Sequence, residues 1–258
     1  GFPSKDGTGG FFKRGFGVIH CMLIETEDGL VLIDTGWGTR DCSNPSTLVK
    51  RFMSVTFCTA DVHQTAIEQV EKLGYRQADV KHIFLTHLHL DHTGGLPDFP
   101  AAKVHLLAAE LEAAFHPLTL MEHNAYAPEH WVHNPEWEVH QPRGHQWFGF
   151  SSVAPVYVGE VEFIMVPMVG HTRGHCCVAV RTKDHWLVHC GDAYGYYRQV
   201  DPVQPYRHPC GNLMETIVTT SFKMPRHNWK ELRNLKQSQG DQIQFFCSHD
   251  GQEYYQYA

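Results

Sequence analysis

Residues Thr86-His-Leu-His-Leu-Asp-His-Thr-Gly-Gly95 place four potential metal ligands within six positions. They follow a short apolar run that is typical of a buried strand. Alternate side chains of extended backbone share one face, so His87 and His89 can bind the same metal ion. Asp91 and His92 lie just past the strand end and can turn toward a second ion. The spacing therefore predicts a metal site at the end of a strand.

The residue types in this motif also indicate which metals to expect. Neutral imidazole and carboxylate ligands suit Zn²⁺, and they also suit Mn²⁺, Fe²⁺ or Co²⁺. Four ligands in one hexapeptide cannot fill two catalytic sites, so others must come from loops at distant strand ends. Three candidates stand where apolar strand patterns stop, namely His171, Asp192 and His249. The sequence thus offers seven candidate metal ligands.

The order of these motifs resembles the metallo-β-lactamase-fold hydrolase superfamily, and most closely its lactonase-like dinuclear zinc enzymes. The resemblance rests on five stretches: His87-x-His89-x-Asp91-His92, Gly170-His-Thr-Arg-Gly-His175, His189-Cys-Gly-Asp192, His249 and Leu32-Ile-Asp34-Thr-Gly36. It implies an α/β fold, the αββα sandwich of two mixed β-sheets flanked by helices. It also implies two zinc ions per chain, with ligands in this order: His87, His89 and His171 on the first, Asp91, His92 and His249 on the second, and Asp192 bridging both.

Hydrophobic periodicity along the chain agrees with an α/β fold. Apolar runs predict strands over 17–25, 30–34, 80–85, 103–107, 153–158, 161–166, 176–181, 185–190 and 243–247. Helical patterns fall at 60–73, from residue 107 onward, at 211–222 and at 228–239. No Ser/Gly-rich linker interrupts the alternation, so we expect a single domain over residues 1–258. The aromatic stretch 119–150 has no periodicity and is expected to be a long loop.

The expected metal site implies a hydrolytic mechanism. Two cations that share an oxygen hold hydroxide at neutral pH and polarise an ester or lactone carbonyl for attack. Asp91 is the natural group to carry a proton to the leaving group. A phenol soon after Asp192 could stabilise the developing oxyanion, and both Tyr194 and Tyr196 are candidates, with simple packing as the alternative for each.

Composition excludes several classes of partner. Lys and Arg number 21 against 28 Asp and Glu, a net charge of −7 that disfavours nucleic acid as a partner. No apolar run reaches the roughly 18 to 20 residues that cross a bilayer, so we expect no membrane span. The chain opens at Gly1 without a charged-then-apolar leader, which predicts a cytoplasmic protein or one whose leader has been removed.

The substrate expected from these features is a small molecule, most specifically an N-acyl homoserine lactone-like lactone. The stretch 119–150 could wall an apolar pocket for it, or form a lid or the contact of a homodimer. A glyoxalase II-type thioesterase is an alternative, because such an enzyme binds glutathione through basic residues of a C-terminal helical region, and Arg226, Lys230, Arg233 and Lys236 could do the same. The metal ligands are also compatible with a phosphotriesterase or arylesterase, a β-lactamase, or a metal-binding relative without turnover.

Two further residues near the motifs are expected to support the site. Asp34 is expected to orient a ligand and not to bind metal itself. For His175, the sequence leaves open whether the ring packs behind the ligands or faces the substrate.

Overall fold

The computed structural model describes residues 17–206 and 224–257. They fall into two units, each with its own sheet and its own core. The amino-terminal unit comprises residues 21–140, and the carboxy-terminal unit comprises residues 141–258 together with 1–20. No helix in the described ranges is both long enough and apolar enough to cross a membrane.

The amino-terminal unit is built on a five-stranded sheet in the order β1-β2-β3-β4-β5. Its strands are β1 Met22–Thr26, β2 Gly29–Ile33, β3 Val80–Phe84, β4 Lys103–Leu107 and β5 Glu136–His140. β1 and β2 form an antiparallel hairpin, and β2 through β5 run parallel. The carboxyl ends of β2 and β3 therefore lie at the same edge of the sheet, where loops can bring functional residues together.

Short helices connect these strands and complete the core of the unit. They are α1 Thr39–Ser43, α2 Thr47–Thr56, α3 Ala66–Lys72, α4 Leu90–Thr93, α5 Ala108–Phe115 and α6 Leu120–Ala125. Turns of 3-10 helix lie at Val62–Gln64, Gln77–Asp79, Leu96–Asp98 and Pro128–His130. The core contains Leu32, Ile83 and Leu106 from the sheet and Val70 from α3, all almost fully buried.

The carboxy-terminal unit is built on a six-stranded sheet in the order β11-β10-β9-β8-β7-β6. Its strands are β6 His145–Trp147, β7 Phe150–Val158, β8 Val161–Pro167, β9 Cys176–Arg181, β10 Trp186–His189 and β11 Ile243–Phe246. β6 through β10 are antiparallel neighbours, and β11 adds parallel to β10. Tyr197–Val200 is 3-10 helical, and the described α-helices are α7 Met224–Gln239 and α8 Gly251–Tyr257. Trp229, Leu232 and Leu235 of α7 belong to the same core cluster as Phe245 of β11.

The predicted α/β class and its two mixed sheets are confirmed, and most predicted strands lie within a few residues of the observed ones. The helix predicted over 60–73 begins as a 3-10 turn and continues as α3, which ends before Gly74. The helix predicted over 228–239 is the main part of α7, while the one predicted over 211–222 lies outside the described residues.

The prediction of one long loop over 119–150 is wrong. This stretch contains α6, the 3-10 turn Pro128–His130 and the strands β5 and β6. β5 was missed because it is an edge strand whose glutamates, the exposed Glu136 and the half-buried Glu138, break the apolar pattern. Its pairing with β4, a tertiary contact, makes it a strand.

Candidate metal centre

The motif expected to bind metal falls where β3 gives way to α4. His89 is the N-cap of α4 and keeps extended backbone, whereas Asp91 and His92 lie inside the helix. The ring centroid of His87 is 4.6 Å from that of His89 and 4.1 Å from that of His92. All four side chains of the motif are buried. The predicted change from extended chain to a turn therefore brings the histidines of the motif together within the amino-terminal unit.

Asp34, at the end of β2, orients two of these histidines. Its Oδ2 lies 2.8 Å from Nδ1 of His92 and accepts a hydrogen bond from the hydroxyl of Thr86 at 2.7 Å. The Thr86 hydroxyl is in turn 3.0 Å from Nδ1 of His87. Because Nδ1 of each ring faces a partner in the protein, Nε2 is the nitrogen through which each would bind a metal ion. This is the orienting role expected for Asp34.

Two further groups hold the backbone of the motif. Oε1 of Glu110, on α5, accepts a hydrogen bond from the Leu88 amide at 2.8 Å. The amide and hydroxyl of Thr35 donate to the His92 carbonyl at 3.0 and 2.9 Å. Glu110 was not predicted from the sequence, although a glutamate among the alanines of α5 that is only 1% exposed needs a buried donor.

The carboxy-terminal unit brings together the other three predicted ligands. His171, Asp192 and His249 follow β8, β10 and β11, respectively. Oδ2 of Asp192 lies 3.2 Å from Nε2 of His171 and 3.2 Å from Nε2 of His249. One carboxylate oxygen thus lies close to two imidazole nitrogens, so these three side chains are placed to act as metal ligands together.

The ligands of this unit also have orienting partners. Nδ1 of His249 lies 2.9 Å from the Val18 carbonyl, and this contact orients the ring so that Nε2 faces Asp192. His175 is fully buried, with Nδ1 3.1 Å from the Met168 carbonyl and Nε2 accepting the Asp192 amide at 2.9 Å. Both ring nitrogens of His175 therefore contact backbone atoms of the protein, so His175 holds the backbone of Asp192 and does not face a substrate.

Helix α7 forms hydrogen bonds with the two loops that carry His171 and Asp192. The side-chain amide of Asn228 donates to the Val169 carbonyl at 3.0 Å, and the indole of Trp229 donates to the Ala193 carbonyl at 2.9 Å. Sequence periodicity identified Trp229 only as part of a helix. The residue types could have indicated the polar contacts, because a buried indole N–H usually finds a hydrogen-bond partner and an asparagine lies next to it.

The two candidate tyrosines have different surroundings. Tyr194 belongs to the core of the carboxy-terminal unit, and its hydroxyl donates to the Glu253 carboxylate at 3.0 Å. Burial raises the pKa of Tyr194 well above its usual value, and burial raises the pKa of Glu253 to about 7. Tyr196 is only half-buried, and burial raises its pKa to about 12, so its hydroxyl keeps its proton at neutral pH. Of the two, Tyr196 is better suited to donate a hydrogen bond to a substrate.

The donor set fits the expected metals. The candidate metal ligands are five histidines and two aspartates, namely His87, His89, His92, His171 and His249 with Asp91 and Asp192. Imidazole nitrogen and carboxylate oxygen are ligands of Zn²⁺ and of Mn²⁺, Fe²⁺ and Co²⁺. Candidate metal ligands at the ends of β-strands in an α/β fold define a class of metal-dependent hydrolases.

Comparison with known proteins identifies the family. A family model described as the metallo-beta-lactamase superfamily matches residues 14–234, and the chain belongs to this superfamily. It is 38% identical over 234 residues to a probable metallo-hydrolase of Mycobacterium tuberculosis, which covers 90% of this chain and 74% of that relative. The protein is a hydrolase of this superfamily, whose members typically bind metal ions.

More distant matches include lactonases. An N-acyl homoserine lactonase of Rhizobium radiobacter is 35% identical over 99 residues, which is 38% of each chain. The crystal structure of a quorum-quenching N-acyl homoserine lactone lactonase superposes with a TM-score of 0.65 at 20% identity. It covers 92% of this chain and 82% of that one, and a likeness at this identity establishes the fold alone.

Proposed function

We propose that the protein is a dinuclear metal-dependent lactonase acting on N-acyl homoserine lactone-like substrates. The observation that carries the proposal is the number of candidate ligands, because five histidines and two aspartates are more than the three or four protein ligands that one zinc ion binds. The proposal treats residues 1–258 as one catalytic domain.

The ligands are assigned to the two ions by residue type and by family resemblance. The first ion would be held by His87, His89 and His171 and the second by Asp91, His92 and His249, and Asp192 would bridge the two. The proposal is supported by the contacts of Nδ1 in His87, His92 and His249, each of which leaves Nε2 as the nitrogen that would bind a metal. Zn²⁺ is the proposed metal, with Mn²⁺, Fe²⁺ or Co²⁺ compatible with the same donors.

When bound, the two cations would activate a water molecule and polarise the lactone carbonyl as Lewis acids. The oxygen of that water bonds to the carbonyl carbon, and the ring C–O bond breaks. A carboxylate oxygen of Asp91 takes the proton from the water and delivers it to the departing alkoxide. The Tyr196 hydroxyl donates a hydrogen bond to the carbonyl oxygen while that atom carries negative charge. The product is the ring-opened hydroxy acid.

A lactone is the proposed substrate because the chain is similar to lactonases over the 99 residues they share. One observation favours a second candidate, a thioesterase acting on an anionic thioester. Arg226, Lys230 and Lys236 of α7 are all exposed on a chain whose net charge is −7. A group of cations of this kind could bind the negatively charged part of such a thioester.

The proposal is tested by measuring metal content and substrate preference together. We expect about two metal ions per chain and hydrolysis of N-acyl homoserine lactones, with both the activity and at least one ion lost in His87→Ala. His123→Ala is the matched control, because His123 is exposed on α6 and belongs to no candidate ligand group among the described residues. One ion or none in metal-saturated protein would refute the dinuclear site.

The same assay distinguishes the substrate classes. Lactones, S-lactoylglutathione, aryl esters, phosphotriesters and β-lactams are compared at equal concentrations. Turnover of the thioester alone would replace the lactonase by the thioesterase, and its loss in Arg226→Ala and Lys230→Ala would support the role of α7. Absence of turnover with every substrate, in protein that binds two ions, would leave a metal-binding relative without lactonase activity.

A further inference from the structure

A buried hydrogen-bonded chain runs through the amino-terminal unit behind the motif residues. Nε2 of His130 lies 3.1 Å from Oδ1 of Asp41, and Nδ1 of His130 lies 2.9 Å from Oγ1 of Thr93. The Thr93 hydroxyl donates its one proton to the His89 carbonyl at 3.2 Å. The chain therefore connects α1, the 3-10 turn at Pro128–His130 and the last residue of α4.

The backbone is shaped to admit this chain. The second oxygen of Asp41, Oδ2, accepts a hydrogen bond from the Gly38 amide at 3.2 Å. A Cβ on Gly94, directly after Thr93, would collide with Oδ2 of Asp41 and would lie 2.7 Å from the Gly38 nitrogen. Glycine at position 94 is thus required for the close approach of α1 to the end of α4.

The hydroxyl, imidazole and carboxylate follow the order of a nucleophilic catalytic triad, but their burial excludes that role. Thr93 has no exposed surface, and His130 and Asp41 are only 2% and 3% exposed. A nucleophile must reach a substrate, which Thr93 cannot do. Three buried polar side chains are costly unless they are paired, so this chain must serve another purpose.

The purpose follows from what the chain contacts. Thr93 is the last residue of α4, and α4 presents Asp91 and His92 on its first turn. Asp34 orients the ring of His92, whereas Thr93 acts on the backbone that carries this ring. The bonds of Thr93 to His130 and to the His89 carbonyl restrain both ends of this four-residue helix.

We propose that His130, held by Asp41, is a positioning residue that fixes α4 through Thr93, and thereby sets the geometry of the Asp91 and His92 pair for the second metal ion. The inference rests on the proposed function, because it assigns this pair to one of two ions. It also gives a role to one histidine of the 119–150 stretch, for which the sequence left open a pocket wall, a lid or a dimer contact.

The test replaces Thr93 first, because removing His130 would leave Asp41 buried without its imidazole partner and could unfold the chain. Thr93→Val keeps the shape of the side chain and removes only the hydroxyl, whereas Thr93→Ser restores it. His130→Gln is the second variant, since its amide can both donate and accept. His123→Ala is the control, an exposed histidine of the neighbouring helix α6.

Stepwise zinc affinity is measured for each full-length variant by competition with a chromophoric chelator, together with the Tm of the metal-free protein, kcat and KM. We expect Thr93→Val to bind one of its two ions about 10- to 100-fold more weakly, with the affinity for the other unchanged. Its kcat should fall with KM unchanged, and excess zinc should restore kcat. Thr93→Ser and His130→Gln should each keep most of the zinc affinity of the wild type, and His123→Ala should match the wild type.

The possible outcomes separate this proposal from the proposed function. If the wild type binds two ions and Thr93→Val binds both with wild-type affinity, the positioning role is refuted and the dinuclear site stands. Equal loss of affinity for both ions with a lowered Tm would show a structural role only, and would also refute it. A wild type that binds fewer than two ions would overturn both proposals.

Discussion

Nδ1 of His92 lies 2.8 Å from Oδ2 of Asp34, and neither side chain is exposed to solvent. Asp34 reaches this position from a left-handed backbone conformation with φ of 55°, which is unfavourable for a residue other than glycine. Both of its oxygens are used, because Oδ1 also accepts the Thr86 amide at 2.8 Å. A strained residue with both carboxylate oxygens engaged is expected where the fold orients functional groups.

Replacing Asp34 by Asn should weaken metal binding. An amide can accept at only one of the two positions, so its NH₂ group must face a donor, either the Thr86 amide or the pair formed by Thr86 and His92. We expect affinity for at least one ion to fall about 10- to 100-fold. Chelator competition measures the change, and Asp28→Asn, in the exposed turn between β1 and β2, is the control. Wild-type affinity in Asp34→Asn would show that Asp34 does not orient His92.

The two tyrosines should separate activity from stability. Tyr196→Phe removes the proposed donor to the carbonyl oxygen, and kcat should fall about 100-fold with stability nearly unchanged. Tyr194→Phe removes a donor from the buried Glu253 carboxylate, and the free energy of unfolding should fall by about 1–3 kcal/mol. Steady-state kinetics and urea denaturation are measured on both variants. A full kcat in Tyr196→Phe would remove this tyrosine from the mechanism.

Glu253 should make stability depend on pH near neutrality. Burial raises its pKa from the usual 4.5 to about 7 in the folded protein. Between these values the folded chain holds a proton that the unfolded chain has released, so stability falls as pH rises and levels off above about 7. The contribution is fully present below pH 4.5.

Urea denaturation at constant saturating metal tests this dependence from pH 5 to 8.5. The unfolding free energy of the wild type, relative to that of Glu253→Gln, should fall as pH rises from 5 to about 7 and then level off, by an amount on the order of 3 kcal/mol. Glu160→Gln is the control, because Glu160 is exposed in the turn between β7 and β8. A pH-independent difference would place the pKa of Glu253 at its unfolded value.

The sequence predicts the apolar strands of the two sheets better than it predicts the charged strand β5. The hairpin of β1 and β2 and the buried strands β3 and β9 follow from local patterns, because runs of apolar residues that are buried on folding are visible in the sequence. β5 could not be predicted in this way, since its pairing with β4 outweighs its alternating charged residues. Helices as short as α1 and α4 were also beyond local prediction, because helices of this length are unstable alone and depend on tertiary contacts.

The candidate ligands and one of their supports, Asp34, were visible in the sequence, whereas the other supports were not. Spacing identified His87 and His92 as candidates, but further groups that contact the motif come from distant positions such as Glu110 and His130. His175 illustrates the limit, because its neighbourhood suggested either packing or substrate contact. Only the hydrogen bonds of its two ring nitrogens, to Met168 and Asp192, decide between them.

Three histidines form a row across the amino-terminal sheet. Nδ1 of His82, on β3, lies 2.8 Å from Nε2 of His105 on β4, and Nδ1 of His105 lies 3.0 Å from Nε2 of His140 on β5. The His105 ring also stacks on Phe84, with ring centroids 4.3 Å apart. Burial, together with the neighbouring His140, His82 and Lys103, lowers the pKa of His105 to about 3.

This row should destabilise the protein in mild acid. Below the usual pKa of 6.5 the unfolded chain binds a proton at His105 that the folded chain does not, so stability falls as pH drops from 6.5 toward 3. The slope from this one group approaches about 1.4 kcal/mol per pH unit. His105→Gln should remove that part of the pH dependence, and the exposed His123→Gln should not. Parallel pH profiles of unfolding free energy for the wild type and His105→Gln would mean that the folded row accepts a proton as readily as the unfolded chain.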